Sequence, residues 1–223
     1  MVLVCVLAAG CSSGGLPLIL KPRAPALPVA STPAGAVAVF VRAYDTHDLS
    51  AYRTLFTTDF AFAFSPSDVA GGPYEQSGWS RSDELLSAAN LLLNGNTTLA
   101  PAQRIDLAPQ SSLIAIPDDR PGKDSPQHVK MTVYVRLVAD LGAGIWDVSD
   151  NETFYFVRGD AASVPPGIIS MPADSTRWYI ERWEEGSGGL AATTLRRGVQ
   201  APAQTMPGER HTWGGLKAMY HSL

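Results

Sequence analysis

The feature that most narrows what this chain can fold into is a change of hydrophobic period between Pro33 and Ser65. In "TPAGAVAVFVRAYDTHD", Val37, Phe40, Val41 and Tyr44 recur at the spacing of one helical stripe. Asp48 offers an oxygen to cap a second short helix, "LSAYRTLF", whose Leu49, Tyr52, Leu55 and Phe56 share a face. The period then becomes two: Phe60, Phe62 and Phe64 point one way, Ala61 and Ala63 the other. Two helices running straight into an aromatic strand predict a strand laid against the helices' apolar stripes.

Further elements follow in order. Ser80 and Asp83 have capping-box spacing ahead of a third helix, "SRSDELLSAANLLLNG", with Gly95 as its stop. Leucine placement predicts Leu85, Leu86, Ala89, Leu92 and Leu93 as its buried face. One short and one irregular strand are expected around Pro109, and a long one in "HVKMTVYVRLVADL", where Val129, Met131, Val133, Val135 and Leu137 alternate with polar residues. "IWDVSDNETFYFVRGD" and "RWYIERWEE" continue the pattern, and Trp178 and Ile180 are expected to share a buried face of the last strand. The layout is α+β: a strongly curved, mainly antiparallel sheet wrapped around N-terminal helices.

The chain of 223 residues suits one domain with appendages, and its formal charge of −4 argues against nucleic acid as a partner. Residues 1–11, "MVLVCVLAAGC", resemble a bacterial lipoprotein signal in which Cys11 receives the lipid. Two departures are the lack of Lys or Arg before the apolar run and Ala8 where a larger aliphatic residue is usual. Residues 12–33 read as a proline-rich tether, 34–185 as the domain, and 186–223 as a linker and tail. The expected setting is the bacterial envelope, facing periplasm or exterior, with the membrane as partner through the lipid anchor. The oligomeric state is left open, a homodimer included.

The order of helices, "TTDFAFAF" strand, Trp79 loop, helix and strands ending in "WYIERWEE" resembles the nuclear transport factor 2-like superfamily, with its polyketide-cyclase-like and ketosteroid-isomerase-like members. "GWSRSDEL" and "TWGGLKAMY" are similar to segments of a group of bacterial lipoproteins. The resemblance implies a cone with a pocket at its mouth and carries no catalytic residue to a position here.

Chemistry is sparse. The histidines His47, His128, His211 and His221 are scattered, "DDRPGKD" (118–124) lacks the alternation of a calcium loop, and neither a metal nor a cofactor is expected. Isomerase-type chemistry would need a carboxylate in an apolar pocket opposite a phenol. Asp106, Tyr134, Arg136, Glu152, Tyr155 and Glu181 supply such groups, but the favoured reading of them is a solvated face on which Arg136 pairs with Glu152 or Glu181. The aromatics Tyr44, Tyr52, Phe62, Trp79, Tyr155 and Trp178 fit a pocket for a small apolar ligand or an ordinary core. Two function classes remain: a non-catalytic binding or interaction domain, and an isomerase, dehydratase or cyclase using a pocket carboxylate and a tyrosine.

The tail is the last informative stretch. Trp213, Leu216 and Tyr220 fall at i, i+3 and i+7, with Thr212 as a cap, which predicts a short docked helix anchored by Trp213. The rival is a peptide that docks on a partner. For the anchor, fatty-acid labelling in a bacterium, with a basic leader added upstream, should mark the wild type and leave Cys11→Ser unlabelled. Equal labelling of both would refute lipidation at Cys11.

Overall fold

The computed structural model describes residues 26–65, 78–165, 174–186 and 212–221. The lipidation signal with Cys11, most of the tether, the loop after Ser65 and the linker after Gly186 lie outside the described residues.

Helix α1 (Pro33–Asp45) starts where Thr32 accepts a hydrogen bond from the Gly35 N–H at 2.9 Å, with proline in the first turn. It buries Val37, Phe40 and Tyr44, while Val41 is half-buried. Asp48 caps α2 (Leu49–Arg53) through the Ala51 N–H at 2.9 Å. Strand β1 (Phe56–Ala63) follows, and Phe60, Phe62 and Phe64 are buried while Ala61 and Ala63 are less so. Strand β2 (Gly78–Ser80) leads into α3 (Arg81–Ala89), whose capping box is complete: Ser80 and Asp83 exchange both hydrogen bonds. A wider π turn, Asn90–Asn94, extends α3 and ends at Gly95, whose φ of +67° favours glycine.

The remaining strands are β3 (Arg104–Pro109), β4 (Ile116–Pro117), β5 (His128–Asp140), β6 (Ile145–Arg158) and β7 (Trp178–Glu185). They form one seven-stranded sheet in the order β2-β1-β7-β6-β5-β3, with β4 paired to β5. Every pairing is antiparallel except β1 with β7. The sheet is strongly curved, and its concave face closes on the helices as an α+β cone. The last element is α4 (Trp213–His221). It lies inside the cone: the Trp213 ring is 4.9 Å from Trp183 of β7 and 5.8 Å from Phe40 of α1.

Two buried faces differ from the sequence expectation. In α3 the buried residues are Glu84, Ser87 and Ala88, continued by Asn90, Leu91 and Leu92; Leu85, Leu86 and Ala89 are half-buried and Leu93 is exposed. The leucine stripe yields because the neighbour on that side is α4, which offers carbonyls and an ammonium group rather than apolar surface. In β7 the pairing shifts between Tyr155 and Phe156, so that Tyr155 faces Arg182 while Phe156 faces Ile180. The extra residue, Glu181, is a bulge that brings Trp183 to the core side with Ile180; Trp178 shares the face of Ile180 as expected, but at the strand's start it is only half-buried.

Depth of burial gives an energetic contrast between the two tryptophans of β7. Trp183→Ala should cost about 3–5 kcal/mol, the range for truncating a large core aromatic. Trp178→Ala should cost well under half of that. Equal losses in denaturant unfolding would mean that Trp178 is packed as deeply as Trp183.

Candidate functional site

The interior of the cone is aromatic with a polar centre. Phe40 touches the rings of Tyr44, Tyr52, Phe154, Trp183 and Trp213 at centroid distances of 5.1–5.8 Å. Into this lining α4 delivers Lys217, 1% exposed. Its Nζ donates to Glu84 Oε2 at 2.7 Å and lies 3.2 Å from the Trp183 ring centroid and 3.6 Å from that of Phe62. The other Glu84 oxygen accepts from the Tyr52 hydroxyl at 2.5 Å, and the Tyr44 hydroxyl is 3.4 Å from that of Tyr52. One chain of polar groups thus links α1, α2, α3 and α4.

A second acidic group lies beside it. Carboxylate oxygens of Asp150, Glu152 and Glu185 all fall within 4.8 Å of one another, and all three residues are buried. Trp183 Nε1 donates to Glu152 Oε2 at 2.5 Å, whereas Glu152 Oε1 meets no hydrogen-bond partner among the described residues. Glu185 accepts from the Gly214 N–H at 2.8 Å, which sets an anion at the first turn of α4. Gly214 is required there by space: a Cβ would come within 2.5 Å of Glu185 Oε2 and 2.6 Å of a Phe64 ring carbon. Three carboxylates in this arrangement could ligate a hard cation, but Glu185 already accepts from Gly214, and the Lys217 charge lies nearby.

The electrostatics follow from burial. Loss of water, then the charges of Glu185 and Asp150, raise the Glu152 carboxyl well above its ordinary range despite the Trp183 hydrogen bond. Burial pulls the Lys217 ammonium down to about 8, and Glu84 holds it from falling further. Burial and the Glu84 charge push the Tyr44 and Tyr52 hydroxyls upward, so both keep their protons: Tyr52 donates to Glu84 and is free to accept from Tyr44.

The seat for α4 is built by hydrogen bonds as well as by packing. Thr212 caps the helix by accepting from the Gly215 N–H at 2.9 Å. At its other end the carbonyls of Lys217, Tyr220 and Met219 accept from Ser87, Asn90 and Asn96 at 2.7, 2.8 and 2.7 Å. Of these carbonyls, those of Met219 and Tyr220 lie in the last turn, where no intrahelical donor is left. The Tyr220 hydroxyl donates to the Ala100 carbonyl at 2.7 Å, and His221 stacks on Trp79 at 4.5 Å.

The residues singled out in the sequence therefore divide. Tyr44, Tyr52, Phe62, Trp79 and Glu152 are brought together on the inner side, with Trp79 near the far end of α4. Tyr134, Arg136 and Tyr155 belong to the outer face and do not join them, and Trp178, on the core side at the start of β7, is half-buried beneath Arg158, away from the polar centre. Arg136 pairs with Asp147 at 2.7 and 3.0 Å rather than with Glu152 or Glu181, because Asp147 stands diagonally across β6 while Glu152 points inward beside Val133. On the same outer face the 118–124 loop forms an ion-pair lattice. Arg120 bridges Asp118 and Glu181, lies over the Tyr155 ring at 4.1 Å, and is joined by Lys123, which bonds Glu181 at 2.8 Å. Burial and the Glu184 carboxylate push the Tyr155 hydroxyl up to about 12. Sequence reasoning missed Glu84, Glu185, Trp183 and Lys217 as site residues. The one signal for Lys217 was a charged residue beside the apolar stripe of a short tail helix.

No protein-family model and no curated protein matches the chain. Among solved structures it is similar to a nuclear transport factor 2-like superfamily protein from Salmonella enterica, at 12% identity and TM-score 0.43, covering 74% of this chain and 92% of that one. A nuclear transport factor 2-like protein of unknown function in nutrient uptake from Rhodospirillum rubrum is 16% identical, with TM-score 0.44 and coverage of 70% and 97%. A cystatin-like-fold protein of unknown function from Nostoc punctiforme is 13% identical, with TM-score 0.43 and coverage of 73% and 92%. Likenesses this distant convey nothing about activity or ligand.

Two measurements test the polar centre. The raised Glu152 carboxyl contributes stability that is complete below the ordinary carboxylate value of 4.5 and is lost as pH rises through its folded value. Glu152→Gln, a permanently neutral isostere, should remove that loss from a stability–pH profile. An unchanged profile would mean that Glu152 is ionised in the fold. Separately, Lys217→Ala strips Glu84 of its buried counter-ion and should cost about 3–5 kcal/mol. The double variant Glu84→Gln/Lys217→Met should recover most of it, since neither a bare charge nor a void remains.

Proposed function

We propose that this is a membrane-tethered, non-catalytic binding domain of the bacterial envelope, whose C-terminal helix fills the cone and yields it to a small molecule or a partner. The observation that carries this reading is the occupancy of the cone by α4. Trp213, Leu216 and Tyr220 are completely buried there, where an enzyme of this shape would need to admit substrate. The groups capable of acid–base chemistry, Tyr52, Glu84 and Glu152, are closed over by Lys217 and Trp183.

The helix is suited to leave. Burying its three anchors contributes roughly 1.5–3 kcal/mol each, and ordering the backbone costs roughly 1–2 kcal/mol per residue. Ordering nine residues therefore costs at least as much as the three anchors return, and the Lys217–Glu84 pair and the carbonyl hydrogen bonds supply the balance. Local release below the global unfolding energy is the expected behaviour of such a segment. The membrane tether rests on the sequence at Cys11 and the proline-rich stretch that follows it.

A second reading, an isomerase or dehydratase, draws on the Tyr52–Glu84 hydrogen bond of 2.5 Å beside the raised Glu152 carboxyl. Native-state hydrogen exchange on the full chain separates the two. In the first reading the α4 amides exchange through an opening much cheaper than that of β5 and β6, and the protein catalyses no deuterium loss from an α-deuterated cyclic ketone. Exchange of α4 only with global unfolding would defeat the opening helix. Catalysed deuterium loss abolished by Glu84→Gln would establish the enzyme instead.

A further inference from the structure

We propose that the seat of the Lys217 side chain is a binding site for a primary alkylammonium ion, which the chain's own C-terminal helix fills. The inference rests on the reading that α4 yields the cone, and it names the chemistry of what enters.

The seat has the parts that select such an ion. A cation is held by the faces of two rings, Trp183 and Phe62, at 3.2 and 3.6 Å from the nitrogen. One carboxylate, Glu84, accepts a charge-assisted hydrogen bond at 2.7 Å, and the Tyr52 hydroxyl fixes its other oxygen at 2.5 Å. The aromatic surface takes a charge only where the ring faces are presented to it, which excludes an anion and gives a neutral alcohol no comparable attraction. The orphan oxygen Glu152 Oε1 leaves a further polar atom inside the cone that Lys217 does not bond. A ligand not bound to a helix backbone can adjust toward it.

A primary amine on a linear aliphatic stem reproduces what Lys217 inserts, a narrow apolar shaft ending in a compact, three-donor charge. Guanidinium is planar and wider, and its fork would need a second acceptor in plane with Glu84. Free ligand and α4 cannot both occupy the seat, so binding and helix release are one equilibrium. The apparent affinity is the intrinsic one reduced by the fraction of molecules with the helix out.

The test uses the full chain and n-propylammonium, which matches the atoms removed by Lys217→Ala. The amine should raise the melting temperature of Lys217→Ala by several degrees and saturate; n-butanol at the same concentration should not. Adding Glu84→Gln should remove the response. Should Lys217→Ala be unfolded alone, the amine is expected to fold it, as read by circular dichroism. Lys217→Met, whose side chain fills the seat, is the control that no amine stabilises. In the wild type, an alkylammonium of the same kind should accelerate α4 amide exchange at higher concentration than the variant needs. Equal responses to amine and alcohol in Lys217→Ala would overturn the ammonium site. Selective rescue of the variant without any effect on wild-type α4 would instead overturn the yielding helix, and with it the site's use as a receptor.

Discussion

The pairing of Lys217 with Glu84 inside an aromatic cone is the interaction on which the rest of the structure depends. Both side chains are almost completely removed from water, 1% and 0% exposed. Taking two ions out of water costs several kcal/mol each, and only close geometry with further hydrogen bonds returns it. Here Tyr52 donates to the same carboxylate, and two ring faces surround the ammonium. Without the cation, Glu84 would stand as a bare charge in a core of phenylalanines, with Asp150, Glu152 and Glu185 on the same side. Burial, with the charges of Glu185 and Asp150, raises the Glu152 carboxyl, while Glu84 is met by one charge borrowed from the tail.

That constraint explains why α3 presents its polar side inward. Glu84, Ser87 and Asn90 meet the ammonium and two carbonyls of α4, and Gly214 is the residue that lets the helix approach Glu185. Hydrogen-bonding groups arranged for one helix in one orientation give little stability over an apolar alternative but discriminate strongly between registers. The tail is thus specified rather than merely buried. The same arrangement makes a receptor out of the space it occupies, since whatever replaces the tail must satisfy the same carboxylate and ring faces.

The two faces of the sheet are kept distinct by the bulge at Glu181. It carries Trp183 into the cone and leaves Glu181 on the outside, where Arg120 and Lys123 pair with it. A strand in perfect alternation from Trp178 would put one of these on the wrong side. In the outer lattice Arg120 and Lys123 are partly exposed while Asp118 and Glu181 are buried, and these pairs tie the 118–124 loop to β7.

The sequence by itself determined the elements that depend on local rules. The helical stripe of Phe40 and Tyr44, the Asp48 cap, the Ser80–Asp83 capping box and the alternation of Phe60, Phe62 and Phe64 all lie in short windows, and each was legible. So was the stripe of Trp213, Leu216 and Tyr220, because its apolar side chains cannot rest in water. Tertiary structure alone decided which face of α3 is inside, where β7 bulges and which of the acids faces the core. Leucine spacing pointed to the wrong side of α3 because apolarity cannot reveal that the neighbour will be an ammonium and a row of carbonyls. Glu84 and Lys217 are 133 residues apart in the chain. Each alone reads as a solvated surface charge, and only a closed cone that excludes water makes them a pair.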